Sequence, residues 1–128
     1  MSNNVSLYSM LMPNTSTPPH PGRYLSAVLN ALQMSARQFA AHVGVAPTTI
    51  TRLLHEEMAV SPEMAVRLEM ALSGTDAKTW LRLQACYDIW QIEHHQNLFN
   101  IKKLKPNIDL HLNDDIHTFT QNLAEHHG

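Results

Sequence analysis

From Tyr24 to Trp90, apolar residues recur at three- and four-residue intervals in five blocks, separated by short polar breaks that hold a glycine, a proline or a serine. Leu25, Val28, Leu29 and Leu32 fall at i, i+3, i+4 and i+7, one face of a helix that begins near Tyr24. Ser35 is placed to cap a second helix, with Phe39, Ala40 and Val43 inward and Gly44 ending it in left-handed backbone. A third starts near Pro47, whose missing N–H is harmless in a first turn, and turns Ile50, Leu53 and Leu54 inward. Ser61-Pro62-Glu63-Met64 repeats the start signal, and the fourth helix buries Ala65, Leu68, Ala71 and Leu72. After Ser73-Gly74, Asp76 caps a fifth helix with the stripe Trp80, Leu83, Tyr87 and Trp90, widened by Leu81, Ala85 and Ile89. No stretch before residue 98 alternates as a half-buried strand would, so the predicted fold is all-α.

The flanks differ in composition. Residues 1–21 are rich in Asn, Ser, Thr and Pro and read as an extended N-terminal arm. Its apolar set, Val5, Leu7, Tyr8, Met10, Leu11 and Met12, is suited to lie over the domain or a second subunit. The helical domain spans 22–93, and 94–128 form a C-terminal extension. Within the extension, Lys102-Lys103-Leu104-Lys105-Pro106 breaks the pattern, and Asn113 or Asp114 is placed to cap a short helix carrying Ile116, Phe119 and Leu123. That segment is too short and polar for a core of its own, so it docks on the domain or stays mobile.

A length of 128 residues suits one domain with arms. No apolar run reaches membrane-spanning length, and the first residues lack the basic start and apolar block of a secretory signal. Cys86 is the only cysteine, which suits a reducing cytoplasm, and its spacing from Trp80 and Leu83 suggests a small core residue. The net charge of −2 is unevenly distributed. Residues 1–55 hold Arg23, Arg37 and Arg52 and no acid, whereas residues 56–128 hold six basic and eleven acidic residues, −5 in all. A mildly basic face on an acidic body is therefore available, with few arginines for phosphate binding.

The second and third helices, joined through Gly44, form a helix-turn-helix pattern. Ala40 gives room for the close crossing, and Val45 and Ile50 plug the space between the helices. Pro47, Thr48, Thr49, Thr51 and Arg52 open the third helix with small polar groups, which a core does not require and a major groove can use. Threonine donates or accepts there, or sets its methyl against that of thymine; Arg52 reaches a guanine or a phosphate. The competing interpretation is a turn inside a bundle, with the threonines as solvated surface. Nine histidines invite a metal site, but His94-His95, His111, His117 and His126-His127 show no ligand spacing, so no metal is expected. His42 and His55 fit either a place near phosphates or a neutral interface. Asp88 and Glu93 lack a base–nucleophile pair, and no glycine-rich phosphate loop occurs, so neither an enzyme nor a cofactor is expected. The aromatic stripe from Trp80 to Trp90 fits core or a dimer seam better than a cofactor platform.

The blocks "HPGRYL", "MSARQFAAHVGVAPTTITRLL", "SPEMAVRLEMAL" and "WLRLQACYDIW", in order over roughly 70 residues, closely resemble the HigA-type antitoxin family within the phage-repressor-like helix-turn-helix proteins. The resemblance implies a homodimer that binds a palindromic operator in its own promoter and inhibits a small ribonuclease toxin encoded beside it. It places Thr48, Thr49, Thr51 and Arg52 on the reading helix and Arg37 near a phosphate. There are departures: Arg23 stands where the family usually has an acid, and Ala36 where it often has a glutamine that contacts phosphate. Ala46, Pro47 and Thr48 replace a serine and longer polar residues. Ala46 offers no side-chain cap, a loss of about 1 kcal/mol that Pro47 partly offsets. Two further readings stay open, a solitary helix-turn-helix regulator and an interaction module that kept the fold but lost DNA contact.

Overall fold

The computed structural model describes residues 17–95, 99–108, 111–114 and 116. Five helices make up its first part: α1 (Pro21–Leu32), α2 (Ala36–Val43), α3 (Pro47–Leu54), α4 (Pro62–Ala71) and α5 (Ala77–His95). No strand occurs among the described residues, so the architecture is all-α. Most helices begin where the sequence supplies a cap. Ser35 Oγ accepts the Gln38 N–H at 3.1 Å while Gln38 Oε1 accepts the Ser35 N–H at 2.9 Å, a reciprocal capping box. Ser61 Oγ accepts the Met64 N–H at 3.1 Å, and Asp76 Oδ1 accepts the Thr79 N–H at 2.7 Å. That last bond holds the Asp76 carboxyl below the usual carboxylate range.

The core is shared by all five helices. Leu25 and Leu29 of α1, Phe39 and Val43 of α2, Ile50 and Leu53 of α3, Ala65 and Leu68 of α4 and Trp80 of α5 are all buried. Burial of each larger side chain contributes about 1.5–3 kcal/mol. α2 packs chiefly on α3 and α4 on α5, while α1 meets both α3 and α5. Ala40, fully buried, sits where α2 and α3 come together.

The structure departs from the sequence reading in several places. α1 begins at Pro21, not Tyr24, because His20 acts as its cap and Pro21 tolerates the N–H-free first position. Leu32 is half exposed, since α1 ends there and its last turn overhangs the core. α5 turns only Trp80 and Gln84 fully inward, so Ala85 and Ile89 face outward. Cys86 is exposed as well, two residues and about 200° around the helix from Gln84, so it is not a core residue.

The chain divides into two units after Asn97. In the second, residues 99–106 have no regular structure, consistent with the break expected at the lysine-proline run, and residues 112–114 and 116 are helical. Asn113 and Asp114 thus lie within the helical turn instead of capping it. The apolar arm residues Val5 to Met12, and Phe119 and Leu123, lie outside the described residues. No helix among the described residues is long and apolar enough to cross a membrane.

Candidate nucleic-acid interface

The turn between α2 and α3 is fixed by backbone geometry and by one arginine. Gly44 has φ 77° and ψ 38°, and the N–H groups of Gly44 and Val45 both reach the Ala40 carbonyl, at 2.9 and 3.0 Å. From α4, Arg67 donates to the Val43 carbonyl at 2.6 Å and pairs with Glu63 at 3.0 Å. A Cβ at position 44 would stand 3.2 Å from that guanidinium, so glycine answers both the dihedral and the space. Val45 is half-buried against the core, as expected of a plug, and Ile50 is fully buried.

α3 follows without a side-chain cap. Ala46 has extended backbone suited to an N-cap but makes no side-chain bond, and Thr49 N–H reaches the Ala46 carbonyl at 3.0 Å. Ile50 and Leu53 anchor one side of α3. On the other side Pro47, Thr48, Thr51, Arg52 and His55 are exposed, at i, i+1, i+4, i+5 and i+8. Thr49 is half-buried at the margin of this face, so it belongs less to the outward surface than its neighbours. Thr51 Oγ1 donates to the Pro47 carbonyl at 3.1 Å, which turns its hydroxyl proton to the backbone.

Arg37 is exposed in the first turn of α2, where the helix dipole disfavours a cation by about 0.3–1 kcal/mol, so helix stability does not account for it. Among the described residues neither Arg37 nor Arg52 has an ion-pair partner, whereas Arg23 lies 3.9 Å from Glu56 and Arg67 holds Glu63. Arg23 and Arg67 are thus engaged within the fold, and of the other three arginines Arg37 lies on α2, Arg52 on α3 and Arg82 on α5. The structure brings Thr48, Thr51 and Arg52 onto one exposed face with Pro47; Arg37 stands on the packed neighbour helix.

A second set of residues orients α3 from its far end. His20 is buried, and its Nδ1 accepts the Gly22 N–H at 2.9 Å, so the neutral ring caps α1. Its ring meets Tyr87 edge-on at 4.9 Å. Burial pushes the His20 pKa below its ordinary value, against the opposing pull of Glu56, Asp88 and the Met58 backbone. A Cβ at Gly22 would overlap the Leu53 carbonyl, so the start of α1 rests directly on the end of α3. On α5, Gln84 Oε1 accepts the Val60 N–H at 2.9 Å and its Nε2 donates to Asp88 at 2.9 Å. Neither His20 nor Gln84 stands out by periodicity; the blocks "HPGRYL" and "WLRLQACYDIW" in which they lie were the available signal.

A family model described as helix-turn-helix matches residues 25–76, which include all of α2, the turn, α3 and α4. The Escherichia coli (strain K12) protein YddM, an uncharacterized HTH-type transcriptional regulator, is 33% identical over 86 residues, covering 67% of this chain and 90% of that protein. A Coxiella burnetii addiction module antidote protein of the HigA family is 35% identical, with a TM-score of 0.56 over 59% of this chain and 84% of that one. The chain belongs to the HigA-type family of helix-turn-helix proteins. A Pseudomonas aeruginosa HigA antitoxin, solved with the higBA promoter, is 27% identical, with a TM-score of 0.60 over 69% of this chain and 99% of its own. In this HigA-type chain Arg37, Pro47, Thr48, Thr49, Thr51 and Arg52 all fall within the matched residues.

Proposed function

We propose that this HigA-type protein is a sequence-specific DNA-binding regulator that represses its own promoter, and that it serves as an antitoxin for a small ribonuclease encoded beside it. The observation that carries the DNA reading is the exposed face of α3, held rigidly from behind by Ile50 and Leu53 and free of internal ion pairs. A helix fits the major groove, and its early residues meet base edges. Thr48, Thr51 and Arg52 take that role, Pro47 and Thr49 flank it, and Arg37 pairs with a phosphate. The likeness to the Pseudomonas aeruginosa antitoxin solved with a promoter supports the same reading.

The protein acts as a homodimer. Ile89 and Ile92 are each 55% exposed on α5, apolar surface suited to a second copy. A twofold axis between the copies repeats the reading helix about one DNA turn away and calls for a palindromic operator. The test uses the DNA immediately upstream of the chain's own reading frame. That duplex is bound more tightly than a scrambled one, and the adjacent small basic protein copurifies with this chain and loses ribonuclease activity. Equal affinity for both duplexes contradicts the regulator reading. A neighbour that neither binds nor is inhibited leaves a solitary regulator.

A further inference from the structure

We infer that the first turn and a half of α3 selects thymine by its C5-methyl group, through carbon surface and not through hydrogen-bond donors. The inference rests on the DNA reading proposed above and adds the chemistry by which bases are chosen. Ala46, Pro47, Thr48 and Thr51 are exposed together at the start of the helix. Ala46 offers a methyl. Pro47 offers a ring with no N–H and no polar side-chain atom. Thr51 offers a methyl and a hydroxyl whose single proton is taken: the Pro47 carbonyl, 3.1 Å away, can only accept, so Thr51 must be the donor.

The consequence for base reading is specific. Guanine shows two acceptors in the major groove, N7 and O6, and its recognition calls for paired donors; adenine calls for a donor and an acceptor together. Of the four side chains only Thr48 has a free donor, and a single hydroxyl supplies neither the two donors that guanine calls for nor the planar donor–acceptor pair with which an amide fits adenine. Thymine shows O4 and a methyl group, and the methyl is what a surface of carbon atoms can cover. Arg52, a turn after Thr48, is the side chain on this face with the paired donors that a guanine calls for. The half-site therefore carries thymines opposite the first turn of α3, with at most one guanine contact, from Arg52.

Replacing thymine by deoxyuridine removes the methyl and leaves every hydrogen-bonding group in place. After the protected bases are located by footprinting on the upstream duplex, single thymine-to-uracil duplexes are titrated at fixed salt. Each thymine facing α3 is expected to lose roughly fourfold in affinity when its methyl is removed, and thymines elsewhere to lose none. Thr51→Val keeps the methyl and drops the hydroxyl, so it retains the preference for thymine over uracil at every position; Thr51→Ser drops the methyl and loses the preference at the one thymine that Thr51 faces. All four side chains are exposed, and circular dichroism confirms that the variants fold. Indifference to uracil at every protected position, with the upstream duplex still preferred over a scrambled one, overturns the inference and leaves the DNA reading standing. No preference for the upstream duplex at all overturns both.

Discussion

Gln33 and Glu56 hold left-handed backbone, φ 55° and φ 62°, although neither is glycine. Each follows a helix and closes its last turn. Met34 N–H reaches the Leu29 carbonyl at 3.0 Å after α1, and Glu57 N–H reaches the Arg52 carbonyl at 2.9 Å after α3. A Cβ in this region costs about 1–2 kcal/mol, partly offset in a glycine variant by extra chain entropy in the unfolded state. Gln33→Gly is therefore expected to raise unfolding stability by roughly 0.5–1 kcal/mol, measured by urea denaturation. A loss of stability would show that Gln33 makes a contact more valuable than the backbone strain. His20 gives a pH-dependent counterpart. Its folded pKa lies below its ordinary value near 6.5, so as the pH falls the unfolded chain takes up the proton first. In that window the unfolded state binds more protons, and stability falls with decreasing pH. Between about pH 7.5 and about pH 5.5, the parent should lose more stability than His20→Asn, which keeps an uncharged cap acceptor at that position. Equal losses would mean that protonation of His20 leaves the α1 cap undisturbed. Such a role is invisible in periodicity, because His20 faces a cap and a neighbouring helix end, not a stripe.

At the scale of elements, helices with local signals were legible and those shaped by tertiary contacts were less so. The bounds of α2 and α3 followed from Ser35, Gly44 and Pro47, each acting within a turn of its own position. The candidate face on α3 was equally legible, since Ile50 and Leu53 fix which side is left outward; the half-burial of Thr49 and the backbone bond of Thr51 were not, being set by the packed turn. α5 misled because a wide apolar stripe implies burial only when something covers it, and within this chain Trp80 and Gln84 alone are buried. The uncapped start of α3 gives the prediction at this scale. Ala46 already has φ −67° and ψ 144°, so Ala46→Ser needs no backbone change to accept a first-turn N–H. A gain of about 1 kcal/mol in unfolding stability is expected, read as a rise in melting temperature. No gain would mean that the first-turn donors are already satisfied.

Charge is unevenly distributed along the sequence, +3 over residues 1–55 and −5 over residues 56–128, and DNA affinity should be governed by few basic residues. If Arg37 and Arg52, without an ion pair among the described residues, each meet a phosphate, a dimer makes four such contacts. The plot of log affinity against log salt should then have a slope of roughly −4, reduced in magnitude by about 2 in the Arg52→Ala dimer if Arg52 meets a phosphate. An unchanged slope with lost preference at one base pair assigns Arg52 to a guanine instead. Sedimentation at micromolar protein should show a dimer, converted to monomer when Ile89 and Ile92 are both changed to Asp; a monomeric parent would remove the basis for a palindromic operator.

The central claim is that the outward face of α3 reads DNA. Its most direct test compares the parent with a Thr48→Ala, Thr49→Ala, Arg52→Ala variant, both shown to be folded and dimeric, on the upstream duplex and on a scrambled duplex at several salt concentrations. Ile50 and Leu53 are untouched, so the variant keeps its fold. The parent should prefer the upstream duplex, and the variant, which keeps Ala46, Pro47 and Thr51, should lose most of that preference. A variant that retains the parent's preference would make the helix-turn-helix an architectural element only.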